Sequence, residues 1–265
     1  MVQKYLISIE SEDSQRFQGF FEKNNFKRDD FKIFGVIGAK LTAKQYYTLG
    51  VAQAVLPLTP SEVGCKESHL QALHDFLSTD SKYAWVFEDD ITFYDKIVNI
   101  DDADIDGLGE SFLMLLGGVS GINKRSLKGQ ILGDFIGYPI IQVHPYFMTG
   151  VHGTYAYLID RRAAEKVIEF HSKPRLIDDW DGFVKENKGI RFLMSDIFYH
   201  PTPADSDFFS YIYDERHEKH QQAGNAFNKI SFFYLLMGYI SRMIFKAKKS
   251  CLRRVLNSYP NHRRS

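Results

Sequence analysis

The stretch that decides the fold reads Tyr83-Ala84-Trp85-Val86-Phe87-Glu88-Asp89-Asp90-Ile91-Thr92-Phe93. Its first part is short, apolar, aromatic and β-branched, and it stops abruptly at charge, which predicts a buried strand rather than a helix. Three adjacent carboxylates repel one another, and a divalent cation such as Mg²⁺ or Mn²⁺ would relieve that repulsion. Because side chains alternate along a strand, we expect Glu88 and Asp90 to face one side and Asp89 the other. The alternative is an acidic turn that faces water.

The composition fits one large domain, or a core followed by a tail. The 265 residues are 44% hydrophobic and carry 33 basic and 33 acidic side chains, so no overall positive field indicates a nucleic-acid partner. Cys65 and Cys251 lie far apart in sequence. This usage is typical of a reducing compartment. The apolar run after Met1 is too short for a signal peptide, so we expect a cytoplasmic protein.

Strands and helices alternate in the first part of the chain. We predict a strand over 5–9, a helix over 15–23 and a strand over 31–37, which together form a βαβ unit with a nucleotide-sized crevice at the strand ends. The chain contains neither GxGxxG nor GxxxxGK[ST], so both the dinucleotide fingerprint and the P-loop are excluded.

A second helix begins at a capping box. Thr59 is a suitable N-cap, Pro60 fits the first helical position and Glu62 completes the box. Within this helix, His69 is either a core histidine bonded to a carbonyl or a ligand contact. Further strands are predicted over 111–116, 140–143, 152–159, 190–193 and 197–199, with a loop or hairpin over 121–137 and a helix over 161–170 capped by Asp160.

A second acidic cluster surrounds Trp180 and contains Asp178, Asp179 and Asp181. One interpretation is a helix N-terminus, whose dipole favours acidic side chains. The other is a general base beside an aromatic platform for a sugar ring.

The last part of the chain changes in character. Residues 227–245 are rich in Phe, Ile, Tyr, Leu and Met, and 246–265 contain seven Lys or Arg and no Asp or Glu. Arg242 interrupts the apolar run, so an interfacial helix on an anionic membrane surface is favoured over a membrane span. The alternative is a C-terminal helix that docks on the core. We therefore divide the chain into a catalytic domain over 1–224 and a basic amphipathic helical tail over 225–265.

Two early motifs together resemble glycosyltransferase family 25, which includes bacterial lipooligosaccharide galactosyltransferases and collagen galactosyltransferases. The first is Leu58-Thr59-Pro60-Ser61-Glu62-Val63-Gly64-Cys65 with Ser68-His69, and the second is Val86-Phe87-Glu88-Asp89-Asp90-Ile91. Later segments, Gly153-Thr154-Tyr155-Ala156-Tyr157 and 174–178, also resemble the family, so the likeness extends over about residues 3 to 205. The first strand lacks the arginine-rich segment often found after it in the family, with only Arg16 nearby.

The resemblance implies an α/β fold, namely a GT-A-like single Rossmann-type domain with a central mixed sheet, followed here by the amphipathic helical tail. It implies transfer of a hexose, with inversion, from a UDP-sugar (usually UDP-galactose) to a lipid-linked lipooligosaccharide or lipopolysaccharide glycan, with Mn²⁺ or Mg²⁺ as cofactor. With the tail, it implies a peripheral location on the cytoplasmic face of the bacterial inner membrane. The alternatives are a glucosyltransferase of the same pathway, a metal-dependent nucleotide-sugar hydrolase and a non-catalytic glycan-binding protein.

The site residues follow from the resemblance and the acidic clusters. We expect Asp90, Glu88 and His200 to bind the metal, and Asp178 or Asp179 to be the catalytic base. The donor-binding set is Ile7, Ser8, Glu88, Asp89, Asp90, Gly153 and Thr154.

Overall fold

A mixed β-sheet forms the centre of the molecule in this computed structural model, which describes residues 2–94, 100, 104–117, 127–201, 212, 215, 248–250, 252, 253 and 255–258. The strands are β1 (Val2–Ile7), β2 (Phe31–Phe34), β3 (Tyr83–Glu88), β4 (Thr92–Phe93), β5 (Phe112–Gly117), β6 (Lys128–Phe135), β7 (Tyr138–Val143), β8 (Ala156–Asp160), β9 (Arg191–Tyr199) and β10 (Asn257–Ser258). The helices are α1 (Gln15–Asn24), α2 (Ala43–Tyr46), α3 (Pro60–Ser78), α4 (Arg161–Phe170) and α5 (Trp180–Glu186). This arrangement confirms the predicted α/β class with a mixed central sheet.

The strands lie in the order β10-β6-β7-β9-β5-β8-β3-β1-β2, and β4 pairs with β9. β1 pairs in parallel with β2 and β3, and β5 pairs in parallel with β9, whereas β8 runs antiparallel to both β3 and β5. Consequently β1, β2, β3, β5 and β9 all end at the same edge of the sheet, and β8 begins there. The candidate site lies at this edge.

Each face of the sheet packs against helices. Tyr5 and Val86 face a core shared with α3, α4 and α5, whereas Leu6 and Phe87 face the opposite core, where α1 contributes Phe17, Phe20 and Phe21. This alternation follows from the two-residue period of a strand. Burial on both faces explains why β3 is apolar at every position before Glu88.

Local signals define the helix ends. Ser14 caps α1, Thr59 and Glu62 form the predicted capping box of α3, and Asp160 accepts a hydrogen bond from the Ala163 N–H at the start of α4. Such caps satisfy N–H groups that have no partner inside the helix.

Some predicted strand limits are wrong. The predicted strands 190–193 and 197–199 are parts of one strand, β9, which begins at Arg191. Ser195 and Asp196, which interrupt the apolar run, are themselves buried within it. The segment 152–159 is a strand only from Ala156 onwards.

The described end of the chain packs on the domain. Leu252 and Leu256 contact the core that contains α3 and α4. β10 pairs with β6, and the Lys128 ammonium donates to Ser258 Oγ at 2.6 Å. The apolar segment 227–245 of the predicted tail lies outside the described residues. No helix within the described ranges has the length and apolar character that crossing a membrane requires.

Candidate active site

Three acidic side chains, at the end of β3 and just beyond it, form the centre of the candidate site. Glu88 ends β3 and pairs with Ile7 at the end of β1. His200 follows directly after β9, and the loop at Gly153 and Thr154 leads into β8. Because all of these chain ends meet at one edge of the sheet, residues far apart in sequence lie side by side.

Asp89 is held inside the protein by two side chains from the first βα unit. Its Oδ1 accepts from Arg16 Nε at 2.6 Å, and its Oδ2 accepts from the Ser8 hydroxyl at 2.5 Å. The Asp89 side chain is only 6% exposed. Such a buried charge needs both a counter-ion and hydrogen bonds, and Arg16 and Ser8 provide them.

Asp90 is bound through one oxygen only. Its Oδ2 lies 3.0 Å from Arg16 Nη2 and 3.2 Å from His200 Nε2. Its Oδ1 is buried and has no hydrogen-bond partner among the residues that the structure describes. A buried carboxylate oxygen without a partner is uncommon and requires an explanation, such as an ion.

The pKa values of this cluster move in opposite directions. Burial raises the pKa of Asp89, and the contacts with Arg16 and Ser8 offset only part of this effect. Burial also acts upward on Asp90, but His200 and Arg16 outweigh it, so the pKa of Asp90 lies below its ordinary value. For His200, burial acts downward, and Asp90 and Glu88 raise the pKa above its usual value. His200 and Asp90 therefore favour the charged pair.

Glu88 faces a different set of partners. The Thr154 hydroxyl donates to Glu88 Oε1, and His69 Nε2 lies 3.5 Å from the same oxygen. Thr154 is 3% exposed and His69 is fully buried. Glu88 is thus supported from the protein interior, and its side chain keeps 22% of its surface exposed.

Ligand atoms of Glu88, Asp90 and His200 lie within 4.8 Å of one another. Two carboxylates and an imidazole form a donor set that suits Mn²⁺, and the unpartnered Asp90 Oδ1 offers an oxygen for such an ion. Arg16 already supplies one positive charge to this cluster, against three carboxylates. The residues therefore fit a divalent cation.

The second acidic cluster is connected to the surroundings of Glu88 through Gly153. The Gly153 N–H donates to Asp178 Oδ2 at 2.9 Å, and its carbonyl accepts from the Trp180 indole at 2.8 Å. Gly153 has a φ of +86°, and an added Cβ would lie 2.3 Å from the Tyr155 ring. Only glycine fits this position without strain. Asp178 is therefore tied to the loop whose next residue, Thr154, contacts Glu88.

Trp180 and Asp179 serve the structure of α5. Trp180 is 1% exposed and packs against Phe183 and Phe192, so the interpretation of this ring as a sugar platform is wrong. Asp179 is the N-cap of α5 and accepts from the Gly182 N–H at 3.0 Å, as the helix-start interpretation predicts. Burial is the main reason that the pKa of Asp179 is raised.

The predicted site residues are thus largely gathered at one sheet edge. One chain of contacts runs from Ser8 through Asp89, Arg16 and Asp90 to His200. Beside it, Thr154 contacts Glu88. Ile7 is buried in the core, and its backbone pairs with Glu88 at the end of β1.

Sequence reasoning assigned no role to Arg16, Tyr155 or Tyr157. The Tyr155 ring packs against the His200 ring at a tilt of 33°, with centroids 3.9 Å apart. The Tyr157 hydroxyl lies 3.1 Å from His69 Nδ1. The one available signal for Arg16 was its position in the first helix after β1, where a basic residue reaches the sheet edge.

The comparisons with known proteins bear on the first part of the chain. The model of glycosyltransferase family 25, described as an LPS biosynthesis protein, matches residues 1–131 of 265. The matched part contains Ser8, Arg16 and the three acidic residues, whereas the loop at Gly153, Asp178 and His200 lie beyond it. No curated protein matches the chain. The match confirms the resemblance: residues 1–131 are similar to glycosyltransferase family 25, and the family suggests a glycosyltransferase of lipopolysaccharide biosynthesis.

Proposed function

We propose that this protein is an inverting hexosyltransferase that moves galactose from UDP-galactose onto a lipid-linked lipooligosaccharide or lipopolysaccharide core glycan. The observation that carries the proposal is the convergence of Glu88, Asp90 and His200 within 4.8 Å, with Asp90 Oδ1 buried and not hydrogen-bonded within the described ranges. The family match supports the transferase class. Galactose and inversion follow the resemblance of the sequence to the family.

On the donor side, Asp90 and Glu88 would hold Mn²⁺ or Mg²⁺, with His200 as a further ligand. When bound, the cation would supply positive charge against the diphosphate leaving group. Arg16 keeps Asp89 and Asp90 ionised and fixed in orientation, and Ser8 holds the second Asp89 oxygen. Gly153 and Thr154 border the sugar pocket, because their loop lies beside Glu88.

On the acceptor side, Asp178 is the favoured base. It takes the proton of the acceptor hydroxyl, which attacks the face of the sugar opposite to the leaving group. The other candidate, Asp179, already caps α5, whereas Asp178 is bound to the loop beside Glu88.

A screen of UDP-sugars against truncated lipooligosaccharide acceptors, with and without Mn²⁺, tests the proposal. We expect transfer from UDP-galactose that requires Mn²⁺ and falls by at least about 100-fold in Asp90→Asn, since the loss of one metal-held charge costs several kcal/mol in the transition state. Release of free sugar with no gain from added acceptor would identify a hydrolase instead.

We also propose that the tail over 225–265 binds the cytoplasmic face of the bacterial inner membrane through its apolar segment 227–245. Because Leu252, Leu256 and β10 pack on the domain, the part left for the membrane is the apolar segment 227–245 with its basic neighbours. A chain ending at residue 224 would also lose these core contacts. The sharper test is therefore Phe232→Ser with Phe233→Ser in the full chain, sedimented with anionic vesicles. Vesicle binding of the double variant equal to that of the unaltered protein would show that the segment 227–245 does not mediate membrane binding.

A further inference from the structure

A buried pair of polar side chains lies directly behind Glu88. His69 belongs to α3 and Tyr157 to β8, and they are 0% and 2% exposed. His69 Nδ1 lies 3.1 Å from the Tyr157 hydroxyl, and the two ring centroids are 5.7 Å apart. The proposed chemistry uses neither residue.

The other ring nitrogen of His69 faces the site. Nε2 lies 3.5 Å from Glu88 Oε1 and makes no hydrogen bond within the described part of the chain. A fully buried nitrogen normally has a partner. Hydrogen bonds within a site are often long without substrate and shorten when the ligand binds. Glu88 is therefore the partner toward which Nε2 is aimed.

The two partners of His69 decide which of its ring nitrogens carries the proton. Burial is the main cause that raises the pKa of Tyr157, and the nearby charge of Glu88 adds to it. The phenol therefore keeps its proton at neutral pH, and it can donate to a ring nitrogen or accept from one. Because the Glu88 carboxylate only accepts, a proton on Nε2 suits the side of Glu88, and Nδ1 then accepts from the Tyr157 hydroxyl.

We infer that His69 and Tyr157 are positioning residues, which orient Glu88 for the cation through a Tyr157–His69–Glu88 chain of hydrogen bonds. The inference rests on the proposed role of Glu88 at the metal. The Thr154 hydroxyl donates to the same Glu88 oxygen, so the two contacts together fix this carboxylate from the protein side. Partners that orient metal-binding residues in this way typically change metal affinity by about 10- to 100-fold when they are removed.

Cys65 offers a competing explanation for the same geometry. Its thiol lies within 4.8 Å of ligand atoms of His69 and Glu88, so His69 could itself be a ligand in a Cys65–His69–Glu88 site. In the positioning account, Cys65→Ser leaves Mn²⁺ affinity unchanged. In the ligand account, it abolishes the binding.

The test is Mn²⁺ affinity of the full-length chain, measured by electron paramagnetic resonance for free Mn²⁺, with thermal unfolding as a check of the fold. We expect His69→Leu to bind Mn²⁺ about 10- to 100-fold more weakly. His69→Gln keeps an N–H donor near the Nε2 position and should retain affinity to within about threefold, a rescue that a merely structural role does not predict. Tyr157→Phe should weaken binding in the same direction, and adding it to His69→Leu should have no further effect.

Equal affinity in the unaltered protein, His69→Leu and Tyr157→Phe would overturn the inference while leaving transferase activity intact. Loss of binding in Cys65→Ser would overturn it in favour of the ligand account. If His69→Leu does not fold, Tyr157→Phe and His69→Gln still decide, because the inference requires the first to bind Mn²⁺ more weakly than the second. An unaltered protein that neither binds Mn²⁺ nor transfers sugar would instead contradict the proposed function.

Discussion

Replacing Arg16 by methionine tests how the acidic cluster is held in place. Methionine keeps most of the length of the side chain and removes the guanidinium, which lies 2.6 Å from Asp89 and 3.0 Å from Asp90. Asp89 then remains buried with the Ser8 hydroxyl as its remaining described partner from the βα unit. Its charge is left without a counter-ion at contact distance.

The size of the effect follows from the burial of the pair. Removing one partner of a fully buried ion pair costs about 3–5 kcal/mol. The Arg16 side chain is 32% exposed and Asp89 is 6% exposed at the side chain, so water screens part of the interaction. We therefore expect a loss of about 2–3 kcal/mol in the free energy of unfolding, measured in urea without divalent cations.

The matched control is Lys185→Met. Lys185 pairs with Asp181 on the surface of α5, and its side chain is 60% exposed. Exposed pairs of this kind contribute about 0.5 kcal/mol or less. A loss of stability for Arg16→Met no larger than that for Lys185→Met would show that Arg16 does not stabilise the buried carboxylates.

A second substitution isolates the cause of the loss. Adding Asp89→Asn to Arg16→Met removes the uncompensated charge and should recover at least about 1 kcal/mol, because directly contacting residues couple energetically. Mn²⁺ should stabilise Arg16→Met more than the unaltered protein, since a bound cation replaces the lost positive charge. An additive double variant would show that the buried charge is not the source of the instability.

Three further predictions concern the rest of the site. Because the pKa of His200 is raised, its charged pair with Asp90 contributes fully to stability below about pH 6.5 and is lost as pH rises through that pKa. Binding of Mn²⁺ needs the neutral imidazole, so Mn²⁺ affinity should increase over the same pH range. In His200→Gln this pH dependence of Mn²⁺ affinity should flatten. Asp178→Asn should lower kcat at least about 100-fold with unchanged stability. Asp179→Asn retains a good N-cap and should keep most of kcat. The reverse order of the two kcat values would identify Asp179 as the base. Gly153→Ala places a side chain at a φ of +86° and against the Tyr155 ring, so it should cost at least about 1–3 kcal/mol of stability. It should also lower transfer activity, because Tyr155 packs against His200. Urea unfolding and a parallel transfer assay measure the two effects, and unchanged values would contradict the prediction.

Local signals in the sequence were sufficient to predict the starts of two helices and the position of one strand. The capping box at Thr59 and the Asp160 cap define where α3 and α4 begin, because such signals act within one helical turn. The apolar run that ends at Glu88 predicted β3, since a strand buried on both faces reads as continuous hydrophobic sequence.

Contacts between distant segments were not predictable in the same way. Arg16 lies 73 residues before Asp89, and nothing in its local sequence indicates that its guanidinium spans two carboxylates. The link from Asp178 through Gly153 to the Glu88 region depends on β8 running antiparallel to β3, which only the sheet topology provides. Trp180 was misinterpreted because an aromatic residue among acids has the same sequence pattern in a core as on a sugar platform.

Whether the acidic cluster binds UDP through a cation can be measured by calorimetric titration with UDP, with and without Mn²⁺, on the unaltered chain and on Asp90→Asn. We expect the unaltered protein to bind UDP tightly only when Mn²⁺ is present, and Asp90→Asn to lose this dependence together with most of the affinity. UDP binding of equal strength in both proteins, with or without the cation, would contradict this expectation.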